Sequence, residues 1–206
     1  MKNKVLVIGA DHHNTLGIVE SLGQKGLNSY VLIVGENINS FVLKSRYVIE
    51  GWVCSLPEQV VDEMLKHFSD TKNKAIVYSS YDNVSSVLDS SVQRLSPFFI
   101  LPVTNISGSL ERKMSKEYMS DLAREVGLNV PRTWMVSDGE VPADIEFPCI
   151  TKAISSVEGS KKNIKICKRR EELEEFLANS EHCPIIQIQK FIIKDFEFQF
   201  LGCSMD

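Results

Sequence analysis

Phe147-Pro-Cys-Ile-Thr-Lys152 leads into the loop Ser155-Ser-Val-Glu-Gly-Ser-Lys-Lys162. An apolar, strand-like run ends on one lysine, and a small-residue, cationic segment follows it. Residues 151–170 hold seven Lys/Arg (Lys152, Lys161, Lys162, Lys165, Lys168, Arg169, Arg170) against one acid, Glu158. That local charge of +6 sits in a chain whose formal net charge is -4, so the remainder sums to -10. Small residues and lysines beside a strand end suit a polyphosphate, because backbone N–H groups and ammonium ions can converge on it. An ordinary solvated basic hairpin is the competing reading, since cation runs usually face water.

A length of 206 residues predicts one large or two small domains. The 43% hydrophobic and 24% charged content is that of a soluble globular protein. No apolar run approaches the roughly 18 residues a bilayer span needs, so no membrane partner is expected. Met1-Lys-Asn-Lys-Val-Leu-Val-Ile-Gly9 has too short an apolar core for a secretory signal and reads as a first strand. Five scattered cysteines (Cys54, Cys149, Cys167, Cys183, Cys203) without a C-x-x-C argue against a disulfide framework or zinc site. They point to a reducing cytoplasm. The acidic balance disfavours non-specific nucleic-acid binding.

The first hundred residues alternate strand and helix signals. Lys4 to Ile8, Ser29 to Val34, Ala75 to Tyr78 and Phe98 to Leu101 are strand candidates, and Val48 to Val53 reads as a short edge strand. Thr15 to Lys25 carries Leu16, Val19 and Leu22 on one helical face and ends at Gly26. Pro57 suits the first turn of a helix with Val60, Val61, Met64, Leu65 and Phe68 at helical spacing. A further helix is expected around Asn83 to Arg94. Alternation of this kind implies an open parallel α/β sheet of four or five strands with right-handed crossovers.

The pattern changes near Pro102 to Gly108. Ser115 caps a predicted helix with Tyr118, Met119, Leu122, Ala123 and Val126 on one face, stopped by Gly127 and Pro131. Strand signals follow at Thr133–Val136, Pro148–Lys152 and Asn163–Cys167, then a helix at Glu171–Ala178 and strands at Ile185–Gln189 and Phe196–Leu201. Together they predict a second, α+β unit. Glu197-Phe-Gln-Phe-Leu201 reads as a strand whose sheet partner is missing, which suggests a chain cut inside a third unit. A strand completed by a partner or by domain swapping stays open.

Taken together, Lys113, Gly127-Leu-Asn-Val-Pro131, Phe147 to Lys152, Glu158-Gly-Ser-Lys-Lys162 and Ile188-Gln-Lys-Phe-Ile192 resemble the ATP-grasp superfamily. That family's first half carries a lysine before a helix, a Gly-to-Pro helix stop, a strand ending in lysine, a Gly/Ser/Lys phosphate loop and a Gln-Glu-aromatic-aliphatic adenine hinge. The order and spacing match over roughly residues 105–200. Residues 1–104 resemble the Rossmann-like preATP-grasp domain, 105–190 the first grasp subdomain, and 191–206 the start of a truncated second one. Within the first domain Gly9-Ala-Asp-His-His-Asn-Thr-Leu-Gly17, Ser21-Leu-Gly23 and Ser45-Arg-Tyr47 resemble a carboxylate–amine ligase branch. That branch includes D-aspartate ligases and carbamoyl-phosphate-synthase-like proteins.

The resemblance implies an ATP site. Lys152 stands where the family's strand lysine reaches the α- and β-phosphates, and a compact ammonium neutralises charge without demanding planar geometry. Lys113 corresponds to the other ATP-contacting lysine, although Arg112 replaces the acid usual before it. Ser155, Ser156, Gly159 and Ser160 would fold over the β- and γ-phosphates, with Lys161 or Lys162 beside them. In the hinge, the Lys190 carbonyl and Ile192 N–H would read the purine edge through the backbone, and Gln189 could add a side-chain contact. Lys190 replaces the usual Glu. Asp195, in preference to Glu197, would hold the ribose hydroxyls. A disordered hairpin tip, a surface lysine and simple core packing of Ile188 and Phe191 are the structural alternatives.

Gly9 and the loop Ala10 to Asn14 fall at a strand-to-helix turn, where open α/β sheets place ligands. The glycines do not form G-x-G-x-x-G, so a dinucleotide site is poorly supported. The resemblance makes this loop a wall of the acid-substrate site. His12 and His13 are expected on different sides of the chain, with a turn role. His67 and His182 receive none, and no catalytic residue is assigned.

The reading is therefore the amino-terminal part of a cytoplasmic ATP-dependent ligase. A carboxylate attacks the γ-phosphate, and an amine then displaces phosphate from the acyl phosphate. Small-molecule carboxylate and amine substrates are implied, with Mg²⁺ ligands expected beyond residue 206, and a homodimer or a complementing second chain as partner. The isolated piece is expected to bind nucleotide weakly or not at all and to turn nothing over. Competing readings are a non-catalytic nucleotide-binding or scaffold module, one half of a split ligase, and a nicotinamide-dependent oxidoreductase.

Overall fold

A computed structural model of the chain describes residues 3–103, 106–137, 141–153, 164–179 and 185–197. They fall in two compact units, Met1–Met114 and Ser115–Asp206.

The first unit is built on five parallel strands, β1 (Val5–Gly9), β2 (Ser29–Val34), β3 (Val48–Cys54), β4 (Ala75–Ser79) and β5 (Phe99–Ile100), in the order β3-β2-β1-β4-β5. β1 lies at the centre and is buried along its whole length, which is why it reads as a continuous apolar run rather than an alternating one. Its side chains still divide by parity. Leu6 and Ile8 join a core with Leu32, Val60, Met64, Val84 and Leu88. Val5 and Val7 join another with Val19, Val31, Ile33 and Val42. Two separate clusters on alternate residues mean that both sheet faces are covered.

Helix α1 (His13–Gln24) returns the chain from β1 to β2, and Gly26 follows it with φ +76°. Pro57 opens a one-turn 3-10 segment, Pro57–Gln59, rather than the α-helix itself, and α2 (Val60–His67) continues from it. Gln59 Oε1 accepts from the N–H groups of Ser55 and Leu56 at 2.9 and 3.1 Å, which closes that turn. The single helix expected around Asn83 to Arg94 is two, α3 (Asp82–Ser90) and α4 (Val92–Leu95). Ser91 separates them with φ -103° and ψ 11°, its N–H turned back onto the carbonyls of Val87 and Asp89.

Helix α5 (Ser109–Met114), which sequence patterns assign to the segment from residue 105, belongs to the first compact unit. The reason is local. Asp89 of α3 is almost wholly buried, and its Oδ2 accepts from Leu110 N–H at 2.9 Å.

The second unit opens with α6 (Lys116–Glu125), whose N-cap Ser115 Oγ accepts from Tyr118 N–H at 3.5 Å. Gly127 ends it with φ +81°, a conformation that favours glycine. Met119, Leu122 and Val126, the expected apolar face, are 58%, 45% and 65% exposed. An antiparallel sheet follows in the order β6-β9-β7-β8, from β6 (Thr133–Ser137), β7 (Cys149–Ala153), β8 (Ile166–Cys167) and β9 (Ile185–Lys190). One face packs Trp134, Val136, Cys149, Cys167, Ile186 and Ile188 against Leu173 of α7 (Arg170–Ala178). After β9, residues 191–197 carry no strand; of the strand expected at Phe196–Leu201, residues 198–201 lie outside the described residues.

Candidate functional site

The register of the second sheet decides which side chains share its other face. Thr133 lies opposite Gln189, and Gln189 opposite Ile150; Met135 lies opposite Gln187, and Gln187 opposite Lys152. Residues directly opposed point to the same side, and so do residues two apart on one strand. Thr133, Gln189, Gln187 and Lys152 therefore stand on the face away from α7, half-buried apart from the buried Gln187. Lys152 Nζ donates to Gln189 Oε1 at 2.8 Å, across the diagonal of the ladder. Gln189 Nε2 donates to Thr133 Oγ1 at 3.3 Å, and the Thr133 hydroxyl donates to the Pro131 carbonyl at 3.0 Å. The predicted strand lysine is thus no stray surface cation. It is held by Gln189, a residue of the predicted hinge.

The hinge is anchored from both sides. Lys190 N–H donates to the Arg132 carbonyl and Phe191 N–H to the Pro148 carbonyl, each at 2.9 Å. Pro148 follows a cis peptide bond from Phe147. Among the described residues, no backbone hydrogen bond leaves Ile192 N–H, and its side chain is exposed. The Lys190 ammonium lies 2.5 Å from Glu146 Oε2, and Arg132 reaches Glu146 Oε1 at 3.5 Å. Arg132 also pairs with Asp144, whose Oδ1 accepts from Trp134 Nε1 at 3.2 Å. The hydrogen bond and charge of Lys190, with Arg132 adding to both, hold the Glu146 carboxyl below its ordinary range. Thr133, Glu146 and Arg132 are absent from the sequence-derived site. Only the strand register brings Thr133 to Gln189, and nothing in the local sequence marks it.

Among the other predicted residues, Lys113 lies exposed on α5, in the first unit. Asp195 is exposed in the segment after β9, where the neighbouring Glu197 is engaged by Lys194. Ser155, Ser156, Gly159, Ser160 and Lys161 lie outside the described residues, as do Lys162 and His182.

In the first unit, the turn after β1 is occupied with its own bonding. Thr15 Oγ1 donates to the Ala10 carbonyl at 2.7 Å and lies 2.8 Å from Ser80 Oγ, beyond the end of β4. Asp11 accepts from Ser40 Oγ at 2.5 Å and from Asn37 Nδ2 at 3.2 Å. His12 caps α1, its Nδ1 accepting from Asn14 N–H at 3.3 Å. His12 and His13 do not point to different sides as expected: their ring centroids are 3.8 Å apart. The extended His12 and the first helical residue His13 bring the two rings together at the start of α1. His67, given no role from sequence, stacks on Trp52 with centroids 3.9 Å apart and approaches Glu63 at 3.4 Å.

No family profile matches the sequence, and no curated protein matches it. Solved structures do. An L-amino acid ligase from Bacillus licheniformis superposes with a TM-score of 0.68 at 17% identity, over 93% of this chain and 45% of that one. An N5-carboxyaminoimidazole synthetase from Staphylococcus aureus matches at 0.64 and 10% identity, over 93% and 48%. The chain has the fold of the amino-terminal half of ATP-grasp ligases. A D-alanine–D-alanine ligase from Bacillus anthracis, complexed with ATP, matches at 0.56 and 13% identity over 94% of this chain and 60% of its own. The chain thus spans about half the length of the ATP-grasp structures it matches. Its five-stranded parallel sheet and the antiparallel β6-β9-β7-β8 sheet are the two parts of that half.

Proposed function

We propose that this chain is the amino-terminal, nucleotide-binding part of an ATP-dependent carboxylate–amine ligase. The observation that carries the reading is Lys152, held on the sheet face away from α7 by Gln189 of the hinge 188–192. A phosphate-neutralising ammonium and a strand end able to read a purine edge then lie on one small sheet. Lys152 would meet the α- and β-phosphates, Ile192 N–H would donate to a ring nitrogen, and Asp195 would accept from the ribose. Ser155, Ser156, Gly159, Ser160 and Lys161 would complete the phosphate contacts.

In the proposed reaction a carboxylate oxygen attacks the γ-phosphorus and ADP departs, leaving an acyl phosphate. An amine nitrogen then attacks the acyl carbon and phosphate leaves. Positioning and charge neutralisation dominate such transfers. Mg²⁺ would offset charge between the reacting anions. Among the described residues, no group of three or more His, Cys, Asp or Glu side chains could hold a metal ion, so no step is assigned to residues here through it. Turnover is proposed to need the counterpart of the ligases' other half, in the same polypeptide or in a second one. Cytoplasmic residence is part of the same reading; no helix among the described residues is long and apolar enough to cross a membrane.

Binding rather than turnover tests the reading. Titration of the chain with ATP, followed by amide chemical shifts, should perturb β7, β9 and residues 190–195. A charge-assisted hydrogen bond is worth about 1.5–3 kcal/mol, so Lys152→Ala should weaken binding by roughly ten- to a hundredfold. A scaffold module predicts unchanged ligand binding in that variant.

A further inference from the structure

At the amino-terminal ends of β1, β4 and β5 the first unit has a cavity of about 390 Å³, within the roughly 300–1,000 Å³ usual for small-molecule sites. Open α/β sheets hold their ligands at the opposite, carboxyl ends of the strands, so this hollow is separate from the turn after β1. Backbone bonds between the strand starts fix its framework. Ile76 N–H donates to the Lys4 carbonyl at 2.8 Å, and Ala75 N–H to the Phe98 carbonyl at 3.0 Å. Phe68 and Phe98 supply an apolar wall; Phe68 belongs to the core that Leu6 and Ile8 join, and Phe98 packs against it. The charged groups are of both signs. Lys4 Nζ lies over the rings of Tyr30 and Phe68, 5.5 and 5.7 Å from their centroids. Those contacts hold the ammonium by its charge and use no acceptor. Among the described residues, no hydrogen bond or ion pair takes up its N–H donors.

Asp70 lines the same cavity. Its Oδ1 accepts from the N–H groups of Lys72 and Asn73 at 2.8 and 3.2 Å, and its Oδ2 from Asn73 Nδ2 at 3.0 Å. Those bonds hold the carboxylate in place and leave Oδ2 an accepting position. The Asn73 amide holds the Asp70 carboxyl below its ordinary range, and the charge of Lys4 adds to the effect. Lys4 and Asp70 therefore feel each other, yet they form no ion pair. A simple anion drawn to Lys4 would meet Asp70, and a simple cation drawn to Asp70 would meet Lys4. A molecule that carries both charges satisfies both.

We infer that this cavity is a binding site for a free α-amino acid with an apolar side chain, its carboxylate on Lys4, its ammonium on Asp70 and its side chain against Phe68 and Phe98. The inference does not rest on the nucleotide-binding reading, and the two sites share no residue. Asn73, whose Nδ2 is committed to Asp70, has its Oδ1 left as a second acceptor for the ammonium. Removal of apolar surface from water supplies the attraction. The two charges supply the selection, because a ligand lacking either one leaves a like charge facing it unpaired.

The test titrates four probes into the chain and follows amide chemical shifts. They are L-phenylalanine, 3-phenylpropionate, which lacks the ammonium, 2-phenylethylamine, which lacks the carboxylate, and glycine, which lacks the side chain. L-Phenylalanine should move the amides of residues 67–75 and bind more tightly than the other three. Loss of either charge should weaken binding about tenfold or more, the equivalent of one charge-assisted hydrogen bond. Lys4 and Asp70 are both exposed, so Lys4→Met and Asp70→Asn leave the core intact, which unchanged shifts in β2 verify. Lys4→Met should weaken L-phenylalanine about tenfold or more and leave 2-phenylethylamine no weaker. Asp70→Asn should do the same to L-phenylalanine and leave 3-phenylpropionate no weaker. The inference is overturned by L-phenylalanine that moves none of these amides up to its limit of solubility. Shifts confined to residues 9–14 overturn it as well, since they place the amino acid at the turn after β1. So does 3-phenylpropionate or 2-phenylethylamine binding as tightly as L-phenylalanine, or L-phenylalanine binding that Lys4→Met leaves unchanged. None of these failures touches the nucleotide reading, which the ATP titration tests on other residues.

Discussion

Lys190 and Glu146 form an ion pair at 2.5 Å that ties the last residue of β9 to the residue ahead of Phe147. The resemblance that suggested the hinge has a glutamate where Lys190 stands. Here the charge is reversed, and the acid is supplied from outside β9 by Glu146, with Arg132 alongside. A carboxylate therefore lies beside residue 190, carried by Glu146 rather than by β9 itself.

Because Lys190 favours the ionised form, the folded-state pKa of Glu146 is lowered from its ordinary 4.5. The stabilisation it brings is present above the unfolded value and is lost as pH falls through the lower, folded value. Its midpoint, followed by carboxyl NMR, should lie below the ordinary range and move back up in Lys190→Met. A Glu146→Gln variant should lose less stability than the wild type between pH 5 and the acid limit, roughly the window in which a depressed carboxylate titrates. A Glu146 midpoint indifferent to Lys190→Met removes the pair from the account of the hinge.

Gly9 ends β1 where the chain turns toward α1. A Cβ there would run into Ser80 Oγ and Thr15 Oγ1, two hydroxyls that already lie 2.8 Å from each other. Gly9→Ala should therefore push apart the end of β4 and the first turn of α1. A cost of about 1–3 kcal/mol is expected, the usual range for overpacking, read from the denaturant midpoint at unchanged slope. Adding Ser80→Gly should recover part of it. Full stability in Gly9→Ala would mean that the turn relaxes without loss.

Much of this fold is legible because its strands are coded by burial alone. Ser29–Val34 is found as expected, since a parallel strand covered on both faces needs only an unbroken apolar run. The Ser91 break is less visible, because the apolar spacing of Val84, Leu88, Val92 and Leu95 continues across it while the backbone does not. Lys152 and Gln189 are readable as neighbours of a strand end and a hinge. Their direct contact is not, because it depends on a diagonal across two antiparallel strands 37 positions apart in the chain. Thr133 is harder still, an ordinary strand-opening residue until the register sets it against Gln189.

Cys149 and Cys167 also sit opposite each other, on the α7 side of the second sheet, both fully buried. Burial raises the Cys149 thiol from about 9 to about 11, with the nearby Cys167 adding to the shift, and burial raises Cys167 too. The thiolate is the reactive form, so neither should react with a disulfide reagent at neutral pH until the second unit unfolds. For a thiol whose folded pKa is raised, stability is full below the unfolded value and is lost as pH climbs through the folded one, because only the unfolded chain gains by ionising. The loss should run from about pH 9 to about pH 11 and amount to about 2–3 kcal/mol for Cys149. Cys149→Ala should be less stable than the wild type at pH 7.5, through lost packing, and the gap should narrow over that alkaline window. Denaturant titrations of both proteins across the window measure it, and rapid neutral-pH labelling of Cys149 in the folded chain would show that this core opens far more readily than its burial implies.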